Sequence, residues 1–173
     1  MELASANAKM ELAVLNAQSK EFSKIDVITE LTNRGLPQEG VTRMEALWDY
    51  TKMIAGQVFN VGRIIAVEIL NFIRENHNMA IGMVIGAGVG ALTSLVPYLG
   101  PILSPVSIAV GAVGGAIIGS QLDSGKSANG EAFAVGEQLI VMAKKFFGLL
   151  AAIFNALMDE FSDRKEVQNV AFA

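Results

Sequence analysis

From Asn76 to Leu122 the chain carries no Asp, Glu, Lys or Arg, although the whole sequence holds 13 Lys and Arg and 17 Asp and Glu. His77, the single histidine, stands at the entrance to this block. The block is too long for one helix and suits two, over Met79–Val96 and Ile102–Ile118. At about 1.5 Å per residue each spans roughly 26–27 Å, against a thin hydrocarbon core of about 27–30 Å. Three of the four prolines, Pro97, Pro101 and Pro105, lie between or just inside these segments. Pro97 and Pro101 disfavour one continuous helix, and Gly100 permits a tight reversal, so Pro97, Tyr98, Gly100, Pro101 and Pro105 form the expected hairpin tip.

Two glycine stripes run through the block. Gly82, Gly86 and Gly90 are spaced by four, as are Gly111, Gly115 and Gly119. Such a stripe lays a flat groove along one helix face and lets a second backbone approach closely. In lipid, close packing of this kind drives helix association, whereas in water each glycine costs about 1 kcal/mol of helix stability relative to Ala. The spacing therefore predicts that the stripes pack on each other or on copies in an oligomer. The competing reading is a hairpin buried inside a soluble helical bundle.

The flanks read as helix, which makes the expected class all-α. Residues 1–34 form an N-terminal helical segment, read as one helix to about residue 33 and ended by Gly35 and Pro37. Residues 41–75 read as a long amphipathic helix from about Arg43 to Arg74, with Thr42 as N-cap and Glu45 completing a capping box. Arg63 and Glu68 sit within its apolar run, either as a helix-face pair or as charges lining the interior of an oligomer. The transmembrane hairpin occupies 76–122, and a polar linker follows at 123–130. A C-terminal amphipathic helix covers 131–163, with an apolar stripe through Leu139, Met142, Phe146, Leu149, Ile153 and Leu157.

Composition narrows the chemistry. A net charge of −4 argues against a nucleic-acid partner, and the absence of cysteine removes disulfides and thiolate metal sites. Ser124-Gly125-Lys126-Ser127 ends like a phosphate-binding loop, but Ser120 stands where that motif needs glycine, and Asp123 would face the phosphates. Gly86-Ala87-Gly88-Val89-Gly90-Ala91 fits a loose dinucleotide pattern without the surrounding strands. His77 alone builds neither a His-ligated metal cluster nor a catalytic triad. No catalytic residue, metal or cofactor is expected, and the chain reads as no enzyme. Its start is not a secretory signal, since Glu2 replaces the positive region and Lys9 and Glu11 interrupt any apolar core.

The six spaced glycines and the Pro97–Pro105 tip give residues 79–119 an architectural resemblance to glycine-zipper membrane-inserting proteins. Colicin-type pore-forming domains have the nearest plan. The resemblance covers that block alone and carries over no catalytic or receptor motif. It implies permeabilisation of a bilayer. The chain is shorter than a colicin pore domain, with fewer predicted helices, which favours self-association or a chaperone, carrier or immunity partner. The expected function is thus a membrane-inserting, homo-oligomeric pore-forming effector or toxin. It would be made in the cytoplasm and delivered to a membrane by a dedicated route. The alternatives are a non-conducting membrane scaffold or secretion-apparatus subunit, and a soluble self-assembling structural protein.

Overall fold

The computed structural model describes residues 2–54, 56–109 and 129–157. The fold is all-α, with one short β-hairpin inserted between helices. Helix α1 covers Glu2–Ser19 and α2 covers Lys24–Asn33. The N-terminal segment is therefore two helices rather than the one expected. The break falls at Ser23, an extended N-cap whose Oγ accepts from the Asp26 N–H at 3.1 Å. A serine in that position satisfies an N–H that continuing helix would have paired with a carbonyl. The end of α2 follows the expectation at Gly35. Gly35 has φ +98, its N–H bonds the Thr32 carbonyl, and the Leu36 N–H reaches back to Leu31. This pair of bonds is a Schellman motif, sealed by burial of both leucines.

The long helix expected from Arg43 to Arg74 does not form. Helix α3 runs Gln38–Trp48 and α4 runs Val61–Glu75, separated by strands β1 (Lys52–Ile54) and β2 (Gln57–Phe59). Thr42 lies within α3 and its hydroxyl donates to the Gln38 carbonyl, so it is no cap; Pro37 takes the N-cap position. The strands pair antiparallel, with Met53 opposite Val58, and Gly56 turns at φ +80. Of the apolar periodicity across 43–74, Leu47 on α3 and Val61, Ile65, Ile69 and Phe72 on α4 meet the core, whereas Ile54 and Val58 lie on the strands and Val58 is exposed. The periodicity did not register the β-branched and aromatic run between the two helices.

Helix α4 is the central element, packed by α1, α2, α3 and the next helix, α5 (Ile81–Leu95). Ile64, Ile65, Ile69, Leu70 and Phe72 on it are all essentially inaccessible. It is buried almost all round, more than the one-sided stripe expected of it. Its start is locked to α3. The Gly62 N–H donates to the Tyr50 carbonyl at 2.9 Å, and the Gly62 Cα lies so close to the Leu47 carbonyl that a Cβ would meet it at 1.6 Å. Buried Asn16 on α1 adds a third tie, accepting from the Asn60 N–H at 3.0 Å. At the far end, Glu30 of α2 receives Arg74 through Nε and a terminal nitrogen, and Arg34 on its other side.

After α5 the chain makes one 3-10 turn, Pro97–Leu99, and continues as α6 over 100–109. Pro97 thus interrupts the helix as expected, whereas Pro101 lies within the first turn of α6. Gly100 has φ −51, ordinary helical geometry, so the change of path does not use its conformational freedom. Helix α7 spans Asn129–Phe146, and α8, Gly148–Leu157, leaves it at 56°. The single C-terminal helix expected over 131–163 is therefore bent at Phe147, next to Gly148. Residues 158–163, the linker up to 128 and the stripe Gly111, Gly115, Gly119 lie outside the described residues. No single helix among the described residues is long and apolar enough to cross a membrane. The bent pair of Glu137–Phe146 and Gly148–Leu157 meets that test jointly, by length and composition.

Candidate functional site

Helix α5, in the described part of the uncharged block, has two faces that differ in size rather than polarity. One face of α5 buries Val84, Ile85, Val89 and Leu92 against α4 and α7. Gly88 lies on this face. A Cβ there would stand 3.2 Å from the Phe147 ring and 3.6 Å from Phe72. These two rings and Phe146 form a mutual cluster with centroids 4.9–5.4 Å apart, in tilted and edge-on geometries that aromatic quadrupoles favour. Gly88 is the glycine of α5 that the bundle needs, and it belongs to neither four-residue stripe. Its signal was latent in the aromatic pair Phe146-Phe147, whose bulk requires a small residue opposite.

The stripe glycines are elsewhere. Gly86 and Gly90 are exposed, a Cβ on either would meet nothing within 4 Å, and Gly82 is half-buried beside them. The Gly82–Gly86–Gly90 face therefore points out of the described bundle.

Arg63 and Glu68 do not act as a pair. Five residues along a helix puts them about 140° apart around its axis, and their surroundings differ. Arg63 holds its guanidinium 5.5 Å above the Trp48 ring, and its buried Nε has no hydrogen-bond partner. The ring's negative face supplies the electrostatic compensation that a hydrogen bond would otherwise provide. Glu68 enters a cleft of about 270 Å³ walled by Leu15, Phe22, Ile64 and Val67, with Gln18 and Glu21 among its polar lining. Burial, with a smaller contribution from Glu75, raises the Glu68 carboxyl above the ordinary carboxylate range.

Glu30 behaves oppositely: its hydrogen bond from Arg74, foremost, holds it below the ordinary value of 4.5. The two carboxylates have opposite signs in pH linkage. Glu30 binds protons less readily folded than unfolded, so its contribution is present above 4.5 and is lost as pH falls through its lowered pKa. Glu68 binds protons more readily folded, so its penalty is present at neutral pH and is relieved as pH falls through its raised pKa. Glu30→Gln should therefore cost about 1 kcal/mol at pH 7, the modest figure reflecting a partly exposed pair, and progressively less as pH falls through the lowered pKa of Glu30. Glu68→Gln should stabilise at pH 7 and lose that advantage in acid. Urea unfolding at neutral and at acid pH checks both signs; a destabilised Glu68→Gln at neutral pH would contradict the burial argument.

Of the tip residues, Tyr98 is docked, while Pro97 is exposed. Tyr98 accepts a hydrogen bond from Lys52 Nζ at 2.8 Å, and the same ammonium lies 5.5 Å from its ring centroid. Tyr50 also meets this phenol, and burial, then the Tyr98 contact, pushes the Tyr50 hydroxyl up to about 12. Val61, Leu99, Ile102 and Phe154 close around them, leaving about 10 Å³ free. On the other side Asn155 of α8 donates to the Leu95 carbonyl at 2.9 Å, satisfying one of the acceptors that the end of α5 leaves open. Pro101 and Pro105 face outward on α6. His77, beyond α4, is exposed, with Nδ1 3.3 Å from the Arg74 carbonyl. No group of three or more His, Cys, Asp or Glu capable of holding a metal occurs among the described residues. Comparison with protein-family models, curated proteins and solved structures finds no match to this chain.

Proposed function

We propose that this is a membrane-inserting helical protein that self-associates through its glycine faces and permeabilises a bilayer as a pore-forming effector. The observation that carries the reading is the outward placement of Gly86 and Gly90. Each costs about 1 kcal/mol of helix stability against Ala, and neither recovers it through a neighbour within the described bundle. A second helix laid on that face would recover it through close backbone contact, which is how helices associate in lipid. The partner face is Gly111, Gly115 and Gly119, of the same chain or of another copy. The opposite face of α5 is sheltered by α4 and α7, so insertion requires that this packing be exchanged for lipid. Arg63 and Glu68 lie on the flanking helix α4 and enter this reading only as groups that the exchange would rearrange.

The test is flotation of the purified protein with liposomes, followed by an alkaline carbonate wash and a dye-leakage assay. Integral association with leakage is expected. Integral association without leakage selects the membrane scaffold or secretion-apparatus subunit. Protein left at the bottom of the gradient as a defined oligomer ends the membrane reading. The same outward glycines would then serve as a seam between subunits of a self-assembling structural protein.

A further inference from the structure

We propose that Lys52, Tyr50 and Asn155 form a polar clasp on the turn between α5 and α6, and that this clasp must open before the apolar hairpin can leave the bundle. The inference rests on the membrane reading above. Its physical basis is a difference in what lipid can replace. Val96, Leu99, Leu103 and Val106 hold the turn by burial alone. Acyl chains are as apolar as leucine, so those contacts can be exchanged for lipid at little cost. The bonds from Lys52 Nζ to the Tyr98 hydroxyl and from Asn155 Nδ2 to the Leu95 carbonyl have no such substitute in hydrocarbon. They also come from different elements of the bundle. Lys52 and Tyr50 belong to β1 and the link before it, whereas Asn155 belongs to α8, so the turn must part from both elements to be released. The tip that would enter the bilayer first is thus the part fastened by the bonds that lipid cannot repay. Opening the clasp becomes a barrier separate from the stability of the bundle.

The variant Tyr98→Phe with Asn155→Ala keeps the aromatic ring and removes the bonds of the phenol to Lys52 and Tyr50 and that of Asn155 to Leu95. Amide hydrogen exchange in water, without lipid, reads the clasp directly. Loss of a charge-assisted bond and of neutral ones should speed exchange across residues 95–103 by roughly tenfold or more, with α1 and α2 unchanged. Association with vesicles of mixed phosphatidylcholine and phosphatidylglycerol, followed by stopped-flow fluorescence, should accelerate by a similar factor. Glu30→Gln is the control: it loosens α2 from α4, far from the turn, and should accelerate neither. Lys52→Met, which keeps the aliphatic stem, replaces the double variant should that fail to fold. Unchanged exchange at 95–103 overturns the clasp. Faster exchange with an unchanged rate of association overturns its role as a barrier while leaving the membrane reading intact. If wild type and variants alike never associate with vesicles, the membrane reading fails and takes the barrier with it.

Discussion

Gly62→Ala should be the most damaging single-methyl change in the described part of the molecule, lowering stability by about 3–5 kcal/mol. The added Cβ would stand 1.6 Å from the Leu47 carbonyl oxygen and 2.8 Å from its carbon, with Tyr50 Cβ at 3.0 Å. The obstacle is backbone, so no rotamer change relieves it. Either α4 slides away from α3 or the last turn of α3 unwinds. Both routes break the bond from the Gly62 N–H to the Tyr50 carbonyl, worth about 1 kcal/mol. They also lift Val61, Ile64 and Ile65 from the core. The gain in helix propensity from glycine to alanine, about 1 kcal/mol, acts the other way and is too small to compensate. Against a typical total of about 5–15 kcal/mol, such a loss should leave a substantial unfolded population at 37 °C. Urea unfolding measures it; a change below 1 kcal/mol would show that the two helices are not in contact at this point.

Gly62 also marks where the sequence stops being legible. Its role depends on α3 ending at Trp48 and the chain returning after the Lys52–Phe59 hairpin, and apolar periodicity across 43–74 concealed both. Three- and four-residue spacing reports a buried face. It does not report whether successive buried faces belong to one rod or to two, because both halves meet the same core. Local chemistry was more informative than periodicity. Gly35 and Pro37 ended α2 through a left-handed residue and a missing N–H, and Pro97 ended α5, all where the residues themselves forbid continuation. Ser23 was an equally local signal, three residues before Asp26, concealed among good helix formers. The docking of Tyr98 on Lys52, 46 residues away, and of Asn155 on Leu95, 60 residues away, had no local signal at all. Long-range polar partners are fixed by the packing of whole helices, and neither member of such a pair betrays the other in the chain.

The double variant Gly86→Leu, Gly90→Leu should separate folding from assembly. On this side of α5 a Cβ meets nothing within 4 Å at either position, so the described bundle has room for both side chains. Replacing two exposed helical glycines by a good helix former should stabilise the monomer by about 1–2 kcal/mol in total. The same leucines would hold an approaching backbone several ångströms further off and remove the close contact on which small-residue helix packing depends. Self-association and vesicle leakage should therefore fall to background while the unfolding midpoint rises. Gly88→Leu is the complementary change, since it drives a side chain into Phe147 and Phe72 and should destabilise the bundle itself. Opposite signs of stability change for the outward pair and the inward glycine, with assembly lost in the more stable variant, are what a binding face distinct from the core predicts. Unaltered assembly in the outward double variant would mean that the glycine stripe is not the contact. The association surface would then have to be sought elsewhere, first among the exposed Ile140, Val141, Met142 and Leu149 of α7 and α8.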